Sequence, residues 1–239
     1  MCPRFTPYQS SRDKKRIEDT KGGLLEDSYH WILDYPDFQQ WRDDQKSHLL
    51  WIKGDKGKTM LLYGIVNELK KSMAKTNTLS YFFCQATDSR INNVTAVLRS
   101  LVYLLVDQQP SLISYIRTKY DHAGKTLFED ANVWVTLSEI STNILQDPSL
   151  NTTYLMIDAL DECVTDLPKL LRFIAQQSTV SSRLKWAASS RNWTATFLSI
   201  GNWSVNARSG ASTVEVELKG ARRSERDWWL PSESVARNQ

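Results

Sequence analysis

Gly54, Gly57, Lys58 and Thr59, and further along Asp158, Asp161, Glu162 and Arg191, are the residues of this 239-residue chain whose types and spacing could do chemistry. In the first group an apolar run (Leu49, Leu50, Trp51, Ile52) meets a glycine-bearing turn closing on Gly57-Lys58-Thr59, and apolar residues then recur at helical spacing at Leu62, Ile65, Val66 and Leu69. Strand, glycine turn and helix make a phosphate cradle. Backbone N–H groups point at the anion, the lysine pairs with its terminal oxygens, and the hydroxyl holds Mg²⁺. The turn is short for a cradle of this kind. The G-x-x-x-x-G-K-S/T pattern sets four residues between its glycines, and only Asp55 and Lys56 stand between Gly54 and Gly57.

The second group closes two other apolar runs. Tyr154 to Asp158 (YLMID) leads into Ala159-Leu160-Asp161-Glu162, and Leu184 to Ala188 (LKWAA) ends in Ser189-Ser190-Arg191. For a nucleoside triphosphate, Asp158 would hold Mg²⁺ through water, Asp161 or Glu162 would orient the attacking nucleophile, and Arg191 would sense or neutralise the terminal phosphate. Each has a plainer reading. Gly-Lys-Thr triplets are common, acids just after a strand often oppose a helix dipole, and Arg191 could pair with a nearby carboxylate. Their order at the ends of successive strands favours the nucleotide site.

Positioning these groups requires strands that alternate with helices. Leu25, Tyr29, Ile32 and Leu33 recur at helical intervals before Pro36, which is read as a break, and Phe38 and Trp41 restart the pattern. Leu79 to Cys84 (LSYFFC) reads as a central strand covered on both faces. Asn92 or Asn93 caps a helix with Val94, Val97, Leu98, Leu101, Val102 and Leu105 on its apolar face, and Pro110 opens another through Ile116. Helices are expected over Val133 to Leu145 and after Pro168, and Val214 to Leu218 (VEVEL) reads as a half-exposed fifth strand. A parallel sheet with helices on both faces follows, and ligands of such a sheet bind beyond the carboxyl ends of its strands. A second Gly-Lys-Thr, Gly124 to Thr126, follows no strand and precedes no periodic helix, and is read as a surface loop.

Composition narrows the classes. With 41% hydrophobic and 24% charged residues the chain is an ordinary globular sequence, which excludes global disorder. A net charge of +3 with acids interspersed argues against nucleic acid as a partner. Three cysteines form no CxxC pair and three histidines show no ligand spacing, so a dedicated metal centre is not expected and the thiols read as reduced. No signal-peptide core or membrane-length run is visible, which implies a cytoplasmic protein with its four N-x-S/T sequons (Asn93, Asn151, Asn192, Asn202) unmodified.

The strings LLWIKGDKGKTMLL, TYLMIDALDEC and LKWAASSRNW resemble the Walker A, Walker B and sensor 1 segments of NACHT-type NTPases of the STAND class, in their fungal, nephrocystin-like N-terminal form. The resemblance runs from about Arg12 to Trp193. It implies an α/β, three-layer P-loop NTPase sandwich with a mainly parallel sheet of about five strands, truncated C-terminally, and an ATP- or GTP-dependent switch with Mg²⁺. It also implies that the module forms a homo-oligomer or associates with related NACHT proteins, in fungal non-self recognition and heterokaryon incompatibility. The family's loop reads Gly-Asp-Pro-Gly-x-Gly-Lys-Thr, so a Pro-Gly step is missing here. Weakened binding and slow or absent hydrolysis are therefore expected, with a non-catalytic interaction module as the rival reading. The expected organisation is a linker over 1–23, the NACHT-like domain over 24–218 and an irregular tail over 219–239.

Overall fold

A computed structural model describes residues 29–44, 47–123, 132–191 and 212–218. Five strands, β1 (Ser47–Gly54), β2 (Thr78–Phe83), β3 (Thr153–Asp158), β4 (Leu184–Ser190) and β5 (Ser212–Leu218), form one sheet in the order β2-β3-β4-β1-β5. Every pairing is parallel. All strands therefore end at the same edge, and the glycine turn after β1 is separated from the Asp158 end of β3 by β4 alone.

Six helices accompany the sheet among the described residues: α1 (Pro36–Asp43), α2 (Lys58–Ser72), α3 (Val94–Gln108), α4 (Ile113–Ala123), α5 (Val133–Leu145) and α6 (Leu167–Gln177). The two-residue period of the strands sorts their side chains into two cores. Leu49, Trp51, Leu155, Ile157, Trp186 and Ala188 pack with residues of α3, α5 and α6 on one face. Leu50, Ile52, Tyr154, Met156, Ala187 and Val216 pack with α1 and α2 on the other. Both faces being covered, β2, β3 and β4 are buried along their whole length, which explains their near-continuous apolar runs. The expectation of a central strand over Leu79 to Cys84 is corrected: β2 is covered on both faces but stands at an edge of the described sheet, paired with β3 alone, because helices bury an edge strand's two faces as fully as a central one's. This is the three-layer α/β arrangement expected from the sequence.

Pro36 corrects one expectation. It does not break a helix but opens α1, where its missing N–H costs nothing, and a 3-10 turn, His30–Asp34, precedes it. Pro110 likewise starts a 3-10 turn, Pro110–Leu112, which hands over to α4. Asn93, not Asn92, caps α3: its side-chain oxygen accepts from the Ala96 N–H at 2.9 Å. β5 joins beside β1, with Val216 buried and Glu217 exposed as its alternation implied. The Gly124 to Thr126 triplet, the lead-in over 1–23 and the tail over 219–239 lie outside the described residues.

The segment before β1 is fastened to α2. Gly64, mid-helix, lets the Tyr29 ring lie directly against the backbone: a Cβ there would stand 2.1 Å from Tyr29 Cγ. The Tyr29 hydroxyl donates to Glu68 Oε1, one helical turn on, at 3.0 Å.

Candidate phosphate and metal site at the sheet edge

The glycine turn consists of Asp55, Lys56 and Gly57, between the last residue of β1 and the first of α2. Two glycines permit it for different reasons. Gly57 has φ 84°, in the left-handed region that L side chains avoid. Gly54 has no room for a side chain: its register partner on β5 is Leu218, and a Cβ at Gly54 would meet Leu218 Cβ at 2.7 Å and the Leu218 carbonyl oxygen at 3.0 Å. Asp55 and Lys56 are exposed. The first N–H groups of α2 have no carbonyl a turn earlier to bond, so they and the helix dipole face the site.

Lys58 is 8% exposed, and its ammonium donates to the Gly54 carbonyl across the turn. Thr59, next on α2, hydrogen-bonds the Asp158 carboxylate through its hydroxyl. Asp158 is 1% exposed at the end of β3. Burial pushes its carboxyl above the ordinary carboxylate range, the hydroxyls of Ser189 and Thr59 and the charge of Lys58 oppose that rise, and Glu162 adds to it. Asp158, far from Lys58 and Thr59 in sequence, thus comes to the same edge as the strand order requires.

Ser189, on β4 between the two motif strands, is a site residue that sequence reasoning does not single out. Its hydroxyl donates to Asp158 Oδ1 at 2.5 Å and accepts from the Ala159 N–H at 2.9 Å. Ala159 itself sits at φ 52°, a left-handed conformation that costs an L residue about 1–2 kcal/mol. That bend turns the chain out of β3 into the 3-10 turn Leu160–Glu162 that carries both acids. A serine that closes the apolar Trp186-Ala187-Ala188 stretch of its strand is the signal for this role. Its neighbour Ser190 instead accepts from the Trp51 indole N–H at 2.9 Å and braces β4 against β1.

The remaining acids and the arginine are engaged with the protein. Asp161 accepts from the Arg191 backbone N–H at 3.0 Å and pairs with its guanidinium at 3.1 Å, with Asp161 5% and Arg191 62% exposed. Glu162 accepts from the Ala86 N–H, just past β2, at 3.0 Å. Arg191 therefore takes a carboxylate partner, as its plainer reading allowed, and Asp161 and Glu162 lie on the same edge as Asp158. Beside them Cys84 and Cys163 are buried free thiols. A hydrogen bond between the two, together with burial, holds Cys84 well above the usual thiol range, and the same bond draws Cys163 below it.

The donor set suits Mg²⁺. A carboxylate and a hydroxyl meeting at the N-terminus of a helix are hard oxygen donors of the kind that bind Mg²⁺ together with substrate phosphates and water. Among the described residues no group of three or more His, Cys, Asp or Glu could hold a metal ion unaided. No helix among them is long and apolar enough to cross a membrane.

The family model described as "Nephrocystin 3, N-terminal" matches residues 27–191. The chain is 66% identical over 183 residues to the vegetative incompatibility protein HET-E-1 of Podospora anserina, a match covering 76% of this chain and 13% of that protein. It thus spans about an eighth of that relative's length. Among solved structures, the Walker-type ATPase PABY2304 of Pyrococcus abyssi is similar with a TM-score of 0.41 and 12% identity, over 80% of this chain and 56% of that one. PCH-2 of C. elegans is similar with a TM-score of 0.37 and 11% identity, over 87% and 43%. With its motif strands, its parallel sheet and a model match across most of its length, the chain belongs to the nephrocystin 3 N-terminal family, among the NACHT-type modules.

Proposed function

We propose that this chain is a NACHT-like switch module that binds Mg-ATP or Mg-GTP, related to the fungal STAND signalling proteins of non-self recognition, with its phosphate grip weakened by a turn two residues short. One observation carries the reading: the Thr59 hydroxyl and the buried Asp158 carboxylate come together across the end of β4, within the field of Lys58. Mg²⁺ bound there would neutralise charge on the nucleotide phosphates. Gly54 and Gly57 let the backbone approach, the α2 N-terminus supplies N–H donors, Lys58 pairs with the terminal oxygens, and Ser189 fixes one oxygen of Asp158. Asp161 or Glu162 orients a water, and Arg191 lies one ion pair away. Both acids must exchange protein partners to do so, which makes turnover slow. Location in the cytoplasm and assembly with copies of itself or related NACHT proteins complete the reading.

Calorimetric titration with Mg-ATP and Mg-GTP tests it. Saturable binding that disappears in Lys58→Ala is expected, and tight binding indifferent to that change sinks the assignment. Any hydrolysis should vanish in Asp158→Ala.

A specific observation also favours a second reading, a degenerate module that associates with full-length relatives without using nucleotide. The turn holds only three residues, and the Lys58 ammonium is satisfied within it by the Gly54 carbonyl. Inserting Pro-Gly between Asp55 and Lys56 separates the two readings.

A further inference from the structure

Cys84 and Cys163 belong to the two segments that frame the acidic turn. Cys84 directly follows Phe83, the last residue of β2, and its N–H donates to the Asp158 carbonyl at 3.1 Å. Cys163 directly follows Glu162, and its N–H closes the turn on the Leu160 carbonyl at 3.1 Å. The same two segments meet again where the Glu162 carboxylate accepts from the Ala86 N–H and where the Val164 N–H donates to the Asn92 carbonyl at 2.9 Å. Both cysteines are buried, at 6% and 1% exposure, and their thiols lie close enough to perturb one another, while the Cys163 thiol also donates to the Thr165 carbonyl at 3.9 Å. No role in nucleotide binding uses them.

We propose that Cys84 and Cys163 are a reversible dithiol–disulfide pair that locks the turn bearing Asp161 and Glu162 to the end of β2. The oxidant is a peroxide. The Cys163 sulfur, next to Val164, which is 63% exposed, attacks a peroxide oxygen. The O–O bond breaks, Cys163 becomes a sulfenic acid and water leaves. The Cys84 sulfur then attacks the sulfenic sulfur, the S–S bond forms and a second water departs, so two thiols and one hydrogen peroxide give one disulfide and two waters. The bridge would hold Glu162 on the Ala86 N–H and keep its carboxylate from turning to orient an attacking water. That consequence for turnover rests on the nucleotide reading above; the bridge itself does not.

The test uses the full chain with Cys2→Ser, leaving these two of its three cysteines. Treatment with hydrogen peroxide, then alkylation and peptide mapping, should yield one linked peptide pair lighter by two hydrogens, absent in Cys84→Ser and reversed by dithiothreitol. The melting temperature should rise on the order of 10 °C, because the bridge closes a long loop. Amide exchange should slow at 84–88 and 160–163. Recovery of both thiols alkylated after peroxide, or Cys163 sulfinic acid without a link, overturns the proposal, and a link that leaves exchange unchanged overturns the locking. If Cys84→Ser does not fold, Cys163→Ala serves as the unlinked variant. Nucleotide turnover should fall on the order of 100-fold in the oxidised protein. Equal rates in linked and reduced protein overturn the regulatory consequence. A protein that binds no Mg-nucleotide in either state fails the nucleotide reading instead, and the peptide map still decides the bridge.

Discussion

Ser189→Ala removes one oxygen from the centre of the site and leaves two groups without a partner. The Asp158 carboxylate loses a charge-assisted hydrogen bond of 2.5 Å, and the Ala159 N–H loses its acceptor at 2.9 Å. Hydrogen bonds to charged groups contribute about 1.5–3 kcal/mol, and an orphaned buried donor costs about 1–3 kcal/mol, so the loss should be about 3–5 kcal/mol. Urea denaturation followed by circular dichroism reads it as a lower midpoint at unchanged slope, and thermal melting as a fall on the order of 10 °C. A pH series adds a check of sign. The folded pKa of Asp158 lies above its unfolded value, so ionisation opposes folding, increasingly as pH rises from the unfolded value through the folded one. Losing the Ser189 donor raises the folded value further. The penalty should therefore be largest at neutral pH and shrink in acid, where Asp158 is protonated in both states and only the amide's share of about 1–3 kcal/mol persists. Ser138→Ala, on the exposed side of α5, is the control and should stay within about 0.5 kcal/mol. A loss under about 1 kcal/mol at neutral pH, or one that does not diminish in acid, would refute the assignment of Ser189 as the support of Asp158.

Two further substitutions probe the scaffold. Gly64→Ala forces a methyl against the Tyr29 ring, 2.1 Å away at its nearest atom, and also breaks the hold of Tyr29 on Glu68; overpacking of this kind costs about 1–3 kcal/mol, and Tyr29→Ala in the same background should add less than it costs alone. Asn93→Ala removes the α3 cap and should cost about 0.5–2 kcal/mol by denaturant titration, while Asn93→Asp should be nearly neutral.

Elements whose residues are patterned by local physics are legible in the sequence. β3 reads as a buried strand because every one of its residues is buried, and α3 is placed by its periodicity and an asparagine cap. Pro36 misleads because a proline that ends one periodic stretch and one that begins another look alike until the backbone is known. The order of Lys58, Thr59, Asp158 and Arg191 at strand ends is visible, and the sheet brings the first three together. What is not visible depends on pairing across the sheet. Nothing near Ser189 announces that β4 lies between β1 and β3. Nothing near Gly54 shows that Leu218 presses on it, and nothing near Glu162 points to the Ala86 N–H.

These cross-sheet contacts also decide how the short turn can be tested. Gly54 is pinned by Leu218 on β5, and Gly57 is fixed in a left-handed conformation at the start of α2, so added residues can enter only between them, at Asp55 and Lys56, which face solvent. Lengthening a turn from three residues to five costs about 0.5 kcal/mol in closure entropy, so a Pro-Gly insertion should leave stability almost unchanged. The inserted glycine adds one backbone N–H where a phosphate would lie, and a hydrogen bond to a charged acceptor contributes about 1.5–3 kcal/mol, a gain of roughly tenfold to 100-fold in affinity for Mg-nucleotide. The longer turn also loosens the Lys58 ammonium from the Gly54 carbonyl, so that a phosphate oxygen can compete for it as acceptor. Calorimetry of the two proteins side by side reads the difference. A gain of that size at unchanged melting temperature identifies loop length as the limit on a true phosphate site. An insertion protein that folds as well as the parent and still binds nothing removes loop length as the cause and leaves the interaction module as the reading.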